Sequence, residues 1–353
     1  MSTTDLAVQE QPAQSRAQRA VNNFSIQVGT VNGSGSQTAN LVLLRSILLM
    51  GVPVSGKNMF PSNIAGLPPW YTIRVSKRGY VGRKKEVDVL VAPVCPDAKL
   101  RRLVRNMIYD GFLAKLLGID MPLMEKALNK QLGKKAKAVA LNHGALKAGW
   151  DYASANVTKH DPFVIEPMNA TAGTILIDGN AAAAIGCMMA GVTVVAWYPI
   201  TPSSSLCESL IAYMKKYRID KASGKATFAI VRAEDELASL GIVIGASWAG
   251  ARSMTATAGP GISLMSEFTG LAYYAEAPAV IFDVQRVGPS TGLPTRTAQG
   301  DLLSTAFLSH GDTKHLMLIP ASVEECYTMA QEAFELAEYF QTPVFVMMDL
   351  DWG

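Results

Sequence analysis

The sequence predicts an α/β protein of two domains, the second built on a doubly wound parallel sheet. Three observations lead there. At 353 residues the chain exceeds one ordinary domain and can bury two cores. After Gly173, six short apolar runs (TVVAWYPI, TFAIVRA, SMTATAG, AVIFDVQR, KHLMLIP and VFVMMDL) recur at near-regular spacing with helical segments between them. They are unbroken rather than alternating, as strands covered on both faces must be. Ahead of them, FSIQVG at residues 24–29 alternates like a strand and leads through a Gly/Ser-rich turn, Thr30 to Ser36, into a helical run from Gln37 to Met50.

In the first domain, extended runs at Trp70 to Ser76 and Val87 to Val94 alternate with helical stretches that include 99–117 and 121–132. This suggests a compact α/β sandwich. The boundaries expected are a disordered lead-in over 1–22, rich in Gln, Ala and Ser, a first domain over 23–165 and a second over 173–353.

Composition narrows the function classes. Apolar segments run only eight to twelve residues before a Gly, Pro or charge, short of the roughly 20 needed to cross a bilayer. No membrane span is expected, and with no apolar signal-like core at the amino terminus the expected location is cytoplasmic. The net charge of +3 is small, and the basic clusters Lys77 to Lys85 and Lys126 to Lys137 read as solvated faces or as contacts for an anionic partner. Nucleic acid is not an expected partner. The four cysteines, Cys95, Cys187, Cys207 and Cys326, lie far apart with no CxxC or Cys/His pairing, so no metal site is expected on this chain.

In a doubly wound sheet, ligands sit at the carboxyl ends of the strands. Four segments there stand out. Tyr198-Pro199-Ile200-Thr201-Pro202-Ser203-Ser204 follows the first run, with a hydroxyl at an expected helix N-cap, Thr201, and a proline at the expected first helical position. A well-capped helix explains Thr201 and Pro202 but not Tyr198-Pro199. After TFAIVRA come Glu234-Asp235-Glu236 and a helix with small residues on one face; acids at a helix start complement its dipole. Thr257-Ala258-Gly259-Pro260-Gly261 follows the third run and taken alone is a generic Gly-Pro turn. The fourth run ends in Arg286 and opens the loop VGPSTGLPTRT, in which Thr295 and Arg296 lie. Loops of this length and composition at a sheet edge usually carry function, whereas an isolated arginine at a strand end is more often a surface ion pair.

Taken in order, these four segments resemble the signatures of the 2-oxoacid:ferredoxin oxidoreductases. The resemblance implies that residues 173–353 form the domain binding the aminopyrimidine half of thiamine diphosphate, as part of an alpha subunit. It implies that Glu236, with Glu234 as fallback, is the carboxyl group hydrogen-bonded to the aminopyrimidine. A carboxyl group desolvated at a helix start can share that proton. It places Thr201 beside the substrate carboxylate, makes Arg286 its bidentate clamp, and has Thr295, with Arg296 less strongly, contact the rest of the substrate. Tyr198, Pro199 and Gly259 would line the cofactor. The loop from Arg286 to Thr297 is close to that of the branch accepting larger oxoacids.

More loosely, residues 24 to about 165 resemble the family's gamma domain, which helps enclose coenzyme A. The loop Gly29-Thr-Val-Asn-Gly33-Ser-Gly35-Ser-Gln37 is less glycine-dense than the family's, and Gly33 and Gly35 are its candidate cofactor contacts. Lys57, Arg74 or Arg78 would meet the coenzyme A phosphates. A nicotinamide site is the rival reading, but a third glycine is missing and Gly56-Lys57 stands where an acid for the ribose belongs.

No Gly-Asp-Gly followed 25–30 residues later by Asn-Asn occurs. The resemblance therefore implies a beta subunit carrying the pyrophosphate site, Mg2+ and a [4Fe–4S] cluster, ferredoxin as electron acceptor, and a second alpha subunit in a dimer of heterodimers. Alpha subunits of this type continue into a transketolase-C-like domain, whereas the sequence here stops at Asp349 to Gly353. The expected reaction is coenzyme A-dependent oxidative decarboxylation of 2-oxoglutarate to succinyl-CoA, or its reverse. Pyruvate, branched-chain oxoacids and indolepyruvate are alternative substrates, and a non-catalytic scaffold subunit is the alternative of another class.

Overall fold

The computed structural model describes residues 19–29, 36–59, 70–82, 84, 86–91, 99–133 and 135–352, with residues 99–105 described by backbone alone. Most of the expected lead-in and the candidates Gly33, Gly35 and Cys95 lie outside the described residues. Contacts divide the chain into two units, the first reaching Leu176 and the second running from Ile177.

The first unit contains β1 (Ala20–Val21), β2 (Asn23–Gly29), α1 (Ser36–Leu49), β3 (Val54–Met59), β4 (Trp70–Ser76), β5 (Val89–Val91), α2 (Lys99–Leu117), α3 (Met121–Leu132), α4 (Ala136–Asn156) and β6 (Phe163–Val164). Its main sheet runs β3-β4-β2-β5, with β4 antiparallel to both neighbours and β5 parallel to β2. Strand β5 is shorter than the expected run from Val87 to Val94. The Asp88 carboxylate itself accepts the Ser25 backbone N–H at 2.7 Å, so the ladder opens only at Val89, opposite Ile26; residues 92–94 lie outside the described residues. Phe24, Ile26 and Val28 of β2 are buried with Leu43 and Ile47 of α1 and Met124 and Leu128 of α3.

Helix α4, which the sequence reading does not single out, packs closely on α2. A Cβ on Gly111 would stand 1.8 Å from the Leu146 carbonyl oxygen, and one on Gly149 would stand 1.9 Å from that of Ile108. The two backbones therefore touch where each helix has no side chain. The stretch after residue 165 also joins this unit: Met168 N–H donates to the Met50 carbonyl, Ala170 N–H to that of Gly51, and the Thr171 hydroxyl to that of Leu48.

The second unit contains α5 (Gly179–Met189), β7 (Val194–Trp197), α6 (Ser204–Tyr217), β8 (Ala229–Arg232), α7 (Glu236–Trp248), β9 (Ser253–Thr257), α8 (Gly259–Leu264), α9 (Ser266–Tyr274), β10 (Ala279–Gln285), α10 (Leu302–Ala306), β11 (Leu316–Leu318), α11 (Val323–Phe340) and β12 (Pro343–Asp349). All six strands are parallel, in the order β11-β12-β10-β9-β7-β8. All six apolar runs of the sequence became strands. Strands β10 and β12 are buried at every position and pair over their full length, Ala279 opposite Pro343 through Gln285 opposite Asp349.

Side chains of a strand alternate between the sheet's faces, and here each face meets its own core. Val280, Phe282 and Val284 of β10 join α5, α6 and α11 on one face. Ala279 and Ile281 join α7, α8 and α9 on the other. The crossover through α6 thus lies on one face and that through α7 on the other, and strand order reverses at β7, which is flanked by β8 and β9. The crevice at such a reversal is where doubly wound sheets bind ligands.

The helix crossing in the first unit is directly testable. Gly149→Ala is expected to destabilise the chain by about 1–3 kcal/mol through overpacking. Gly144→Ala, on the same helix but facing open space, should be neutral or add up to about 1 kcal/mol. Thermal unfolding of the two variants compares them.

Candidate functional site

The site lies at the carboxyl ends of β7, β8, β9 and β10. At β7 the chain turns through Tyr198 and Pro199, both half-buried, into Thr201, which is exposed. The helix here starts later than expected. Helix α6 opens at Ser204, with Ser203 at its cap position, so Thr201 is not the N-cap and Pro202 is not the first helical residue. The turn closes on one acceptor, the Ile200 carbonyl, which receives the Ser204 N–H at 3.1 Å and the Ser203 and Ser204 hydroxyls at 3.0 and 3.2 Å. The Thr201-Pro202 peptide is cis.

Asn180, absent from the sequence candidates, holds this turn from below. Fully buried on α5, it donates to the Pro202 carbonyl at 3.0 Å and to the Ser205 hydroxyl at 2.7 Å. Its signal was the capped start Asp178-Gly179-Asn180: Asp178 accepts the Ala181 N–H as N-cap, and an amide in the next turn has no reason to be buried unless it serves the chain beside it.

Beyond β8, the three acids separate by role. Asp235 is the N-cap of α7, accepting the Ala238 N–H at 2.6 Å. Glu234 is exposed. Glu236 is 6% exposed, and its carboxyl group makes no hydrogen bond among the described residues. It packs against Gly261, where an added Cβ would lie 2.7 Å from Glu236 Cγ and 1.9 Å from the hydroxyl of buried Thr257. Gly259 lies elsewhere, against Asp301: a Cβ there would stand 2.7 and 2.8 Å from the two Asp301 carboxylate oxygens.

Arg286 leaves the end of β10 almost fully buried and donates from Nη1 to the Thr201 carbonyl at 2.6 Å, while its Nε has no partner among the described residues. It is thus no surface ion pair. Burial lowers its pKa, and the nearby negative charges of Glu236 and Asp301 oppose that. The following loop is folded back on itself. Val287 pairs with Leu293, and the Val287 N–H reaches the Arg296 carbonyl at 2.9 Å. Gly292, at φ +58°, sits so close to the Val287 carbonyl that a Cβ would be 1.8 Å away. Thr295 and Arg296 are half-buried, and the Arg296 guanidinium turns onto the Thr295 carbonyl at 3.1 Å.

On the α7–α9 face, the sheet changes character at its carboxyl edge. Phe345 and Ile281 give way to Thr257, Asp283, Gln285 and Asp349, all buried. Asp283 lies opposite Thr257 in the ladder.

The structure therefore brings Thr201, Glu236 and Arg286 together, with the loop of Thr295 and Arg296 leading off the same strand end. In the first unit, Arg74 is unavailable for phosphates: buried, it donates to the Phe24 and Val75 carbonyls and to Asn23 Oδ1. Arg78 is exposed beside Tyr80, and Lys57 is half-buried in β3. No described group of His, Cys, Asp and Glu is arranged to hold a metal ion, and no described helix is long and apolar enough to cross a membrane.

A reversal point lined by a buried helix-start carboxyl group and a buried arginine defines the class: residues 185–351 match the thiamine diphosphate-binding domain of the pyruvate flavodoxin/ferredoxin oxidoreductases, and residues 25–100 match the pyruvate ferredoxin/flavodoxin oxidoreductase domain. The chain is 38% identical over 263 residues to subunit alpha of 2-oxoacid:ferredoxin oxidoreductase 2 from Aeropyrum pernix, covering 72% of this chain and 40% of that one. It is 47% identical over 174 residues to the 2-oxoglutarate synthase subunit KorA of Archaeoglobus fulgidus, covering 49% of this chain and 48% of that one. The 2-oxoglutarate:ferredoxin oxidoreductase of Magnetococcus marinus, solved with 2-oxoglutarate, coenzyme A and succinyl-CoA bound, superposes with a TM-score of 0.82 at 30% identity over 94% of this chain and 64% of that one. This chain belongs to the alpha subunits of the 2-oxoacid:ferredoxin oxidoreductases, with a pyrimidine-binding domain as its second unit. It spans less than half the length of the two curated relatives described.

The Asn180 contact gives a direct test. Asn180→Ala leaves the buried Pro202 carbonyl with only the long 3.4 Å contact from the Ser205 hydroxyl and should cost about 1–3 kcal/mol, read as a lowered midpoint in chemical denaturation.

Proposed function

We propose that this chain provides the pyrimidine side of a thiamine diphosphate site in a heteromeric 2-oxoacid:ferredoxin oxidoreductase. In that role it would act on 2-oxoglutarate, forming succinyl-CoA in one direction and recarboxylating it in the other. The observation that carries this reading is Glu236: a buried carboxyl group at a helix start, without a hydrogen-bond partner among the described residues, pressed against a glycine that leaves it room. Such a group, beside the Arg286 charge, is open to a hydrogen-bonding ligand.

When bound, thiamine diphosphate supplies the nucleophilic thiazolium carbon and the electron sink that decarboxylation of a 2-oxoacid requires. The chain's own residues do the rest of the work on this side. The Glu236 carboxyl group would hydrogen-bond an aminopyrimidine nitrogen, held in place by its packing against Gly261 and Thr257. Tyr198, Pro199 and the Gly259 turn would border the ring. Arg286, already spending one N–H on the Thr201 carbonyl, keeps its unpartnered Nε–H for a carboxylate beside the Thr201 hydroxyl. Thr295 and Arg296 sit on the loop beyond and suit the second carboxylate of 2-oxoglutarate. That substrate is favoured over pyruvate by the likeness to the Archaeoglobus fulgidus KorA subunit and the Magnetococcus marinus enzyme.

The diphosphate, Mg2+ and a [4Fe–4S] cluster belong in this reading to a beta subunit, and ferredoxin takes the electrons. The first unit, with Gly33, Gly35, Lys57 and Arg78 as candidate contacts, would help enclose coenzyme A. A covering subunit is part of the same reading, and large apolar side chains are exposed on α7 (Trp248), α9 (Leu271, Tyr274) and α10 (Leu303). A second alpha subunit completing a dimer of heterodimers and a cytoplasmic location fit the same reading.

The test is anaerobic assay of the chain with its thiamine-binding partner, coenzyme A and a series of 2-oxoacids, following reduction of a viologen dye. Turnover with 2-oxoglutarate is expected. Glu236→Gln should lower kcat by roughly 10²–10⁴-fold, the range of general acid–base contributions. Arg286→Ala should raise the oxoacid concentration for half-maximal rate by roughly ten- to a hundredfold, the loss of a charged hydrogen bond. No turnover with any oxoacid by a thiamine-loaded complex would overturn the assignment.

A further inference from the structure

Two acids beside Arg286 are left without a role by that reading. Asp283, on β10, is fully buried, and neither carboxyl oxygen meets a hydrogen-bond donor among the described residues. Asp301 stands at the N-cap position of α10, yet its side chain caps nothing. Its carboxylate turns instead toward Gly259, with Oδ2 buried and unpartnered. Asp283 lies opposite Thr257, two residues before the Gly259 that Asp301 faces, and Asp301 N–H is bonded to Gln285 of the same strand, so the two acids share one buried corner and interact there. Two carboxylates offer only acceptors, so one proton between them is what turns two orphaned groups into a donor and an acceptor.

The pair sits where the Arg286 loop returns to the sheet. Asp301 N–H donates to Gln285 Oε1 at 3.1 Å, and Gln299 donates to Asp349 Oδ2 at 2.8 Å. These contacts seat residues 299–301 on the ends of β10 and β12. The charged groups around the pair are Asp301's neighbour Arg286, Glu236 from α7 and Asp349 from β12; α8 and β9 bring only Thr257 and uncharged residues.

We propose that Asp283 and Asp301 share one proton, carried by Asp283, and act as a latch that fixes the base of the 287–300 loop to the sheet beside Arg286. The directions of titration agree. Burial raises the Asp283 pKa well above the carboxylate range, and the Asp301 charge and their hydrogen bond add to the rise. Burial also raises Asp301, but Arg286 and the bond from Asp283 oppose it, so Asp283 keeps the proton. Asp283 and Asp301 are positioning residues: they act through the loop and touch no reacting atom. The link to catalysis rests on the function proposed above, but the latch itself does not, and its tests use the chain alone.

The sign of the linkage is fixed. Below the unfolded pKa, near 4, both states hold the Asp283 proton and nothing is lost. As pH rises past that value, the unfolded chain releases the proton and the folded chain retains it, so stability falls until the raised folded value is reached. Asp283→Asn keeps a donor for Asp301 and does not titrate. Between the unfolded value and the raised folded one, the unfolding equilibrium of the parent should therefore drift against that of D283N by up to roughly tenfold per pH unit. A difference infrared spectrum, parent minus D283N, should show a protonated-carboxyl band at neutral pH; Asp110, also buried without a donor among the described residues, is common to both proteins and cancels. Amide exchange over 287–301 should match the parent in D283N and rise in D283A. Parallel stability curves with no infrared band would overturn the shared proton, and equal exchange in parent, D283N and a folded D283A would overturn the latch. Should D283A fail to fold, the D283N comparison still decides the proton.

Discussion

Arg286 reaches from the end of β10, past the end of β9, to the carbonyl of Thr201 in the turn after β7. That bond ties together two strand ends that are not neighbours in the sheet, across the point where strand order reverses. A guanidinium this deeply buried has lost most of its hydration, and the Thr201 carbonyl and the nearby charges of Glu236 and Asp301 stand in for part of it. The Thr201 turn itself rests on Asn180 below and on the Ile200 carbonyl within. The crevice is a set of main-chain turns held in register by buried side chains.

The sheet's two faces divide the labour. On the α5, α6 and α11 side the alternating residues stay apolar to the strand ends, and that face serves stability. On the other side, Ile281 is followed by Asp283 and Gln285, and Phe345 and Met347 by Asp349. Buried polar groups with few partners cost stability, and they cluster here at the one edge where doubly wound sheets bind ligands.

Much of this was legible in the residues. The six unbroken apolar runs located all six strands of the parallel sheet, because a strand buried on both faces cannot hide a polar face. Glu236, Thr201 and Arg286 were legible because each follows a strand end, and the fold draws strand ends together. Other features were not. The start of α6 was misplaced because Thr-Pro-Ser mimics a cap, while the hydrogen bonds that shift it to Ser204 close on Ile200, whose role depends on the folded turn. Helix α4 was overlooked since, beside Leu146, its buried positions are alanine and glycine, which carry little hydrophobic signal. The burial of Arg74 and the usefulness of Asn180 depend on contacts between residues far apart in the chain, which spacing along the sequence does not encode.

The order of the parallel sheet also bears on how the second unit is made. Strand β12, the last of the six to be synthesised, lies between β11 and β10 and pairs with β10 along its whole length. Until residue 349 has emerged from the ribosome, β10 presents a long, flat, apolar edge to whatever is near, and unpaired edges of that kind recruit other chains. From the emergence of residue 285 to that of residue 349 the nascent protein therefore carries an unpaired apolar strand edge, an exposure written into the strand order itself.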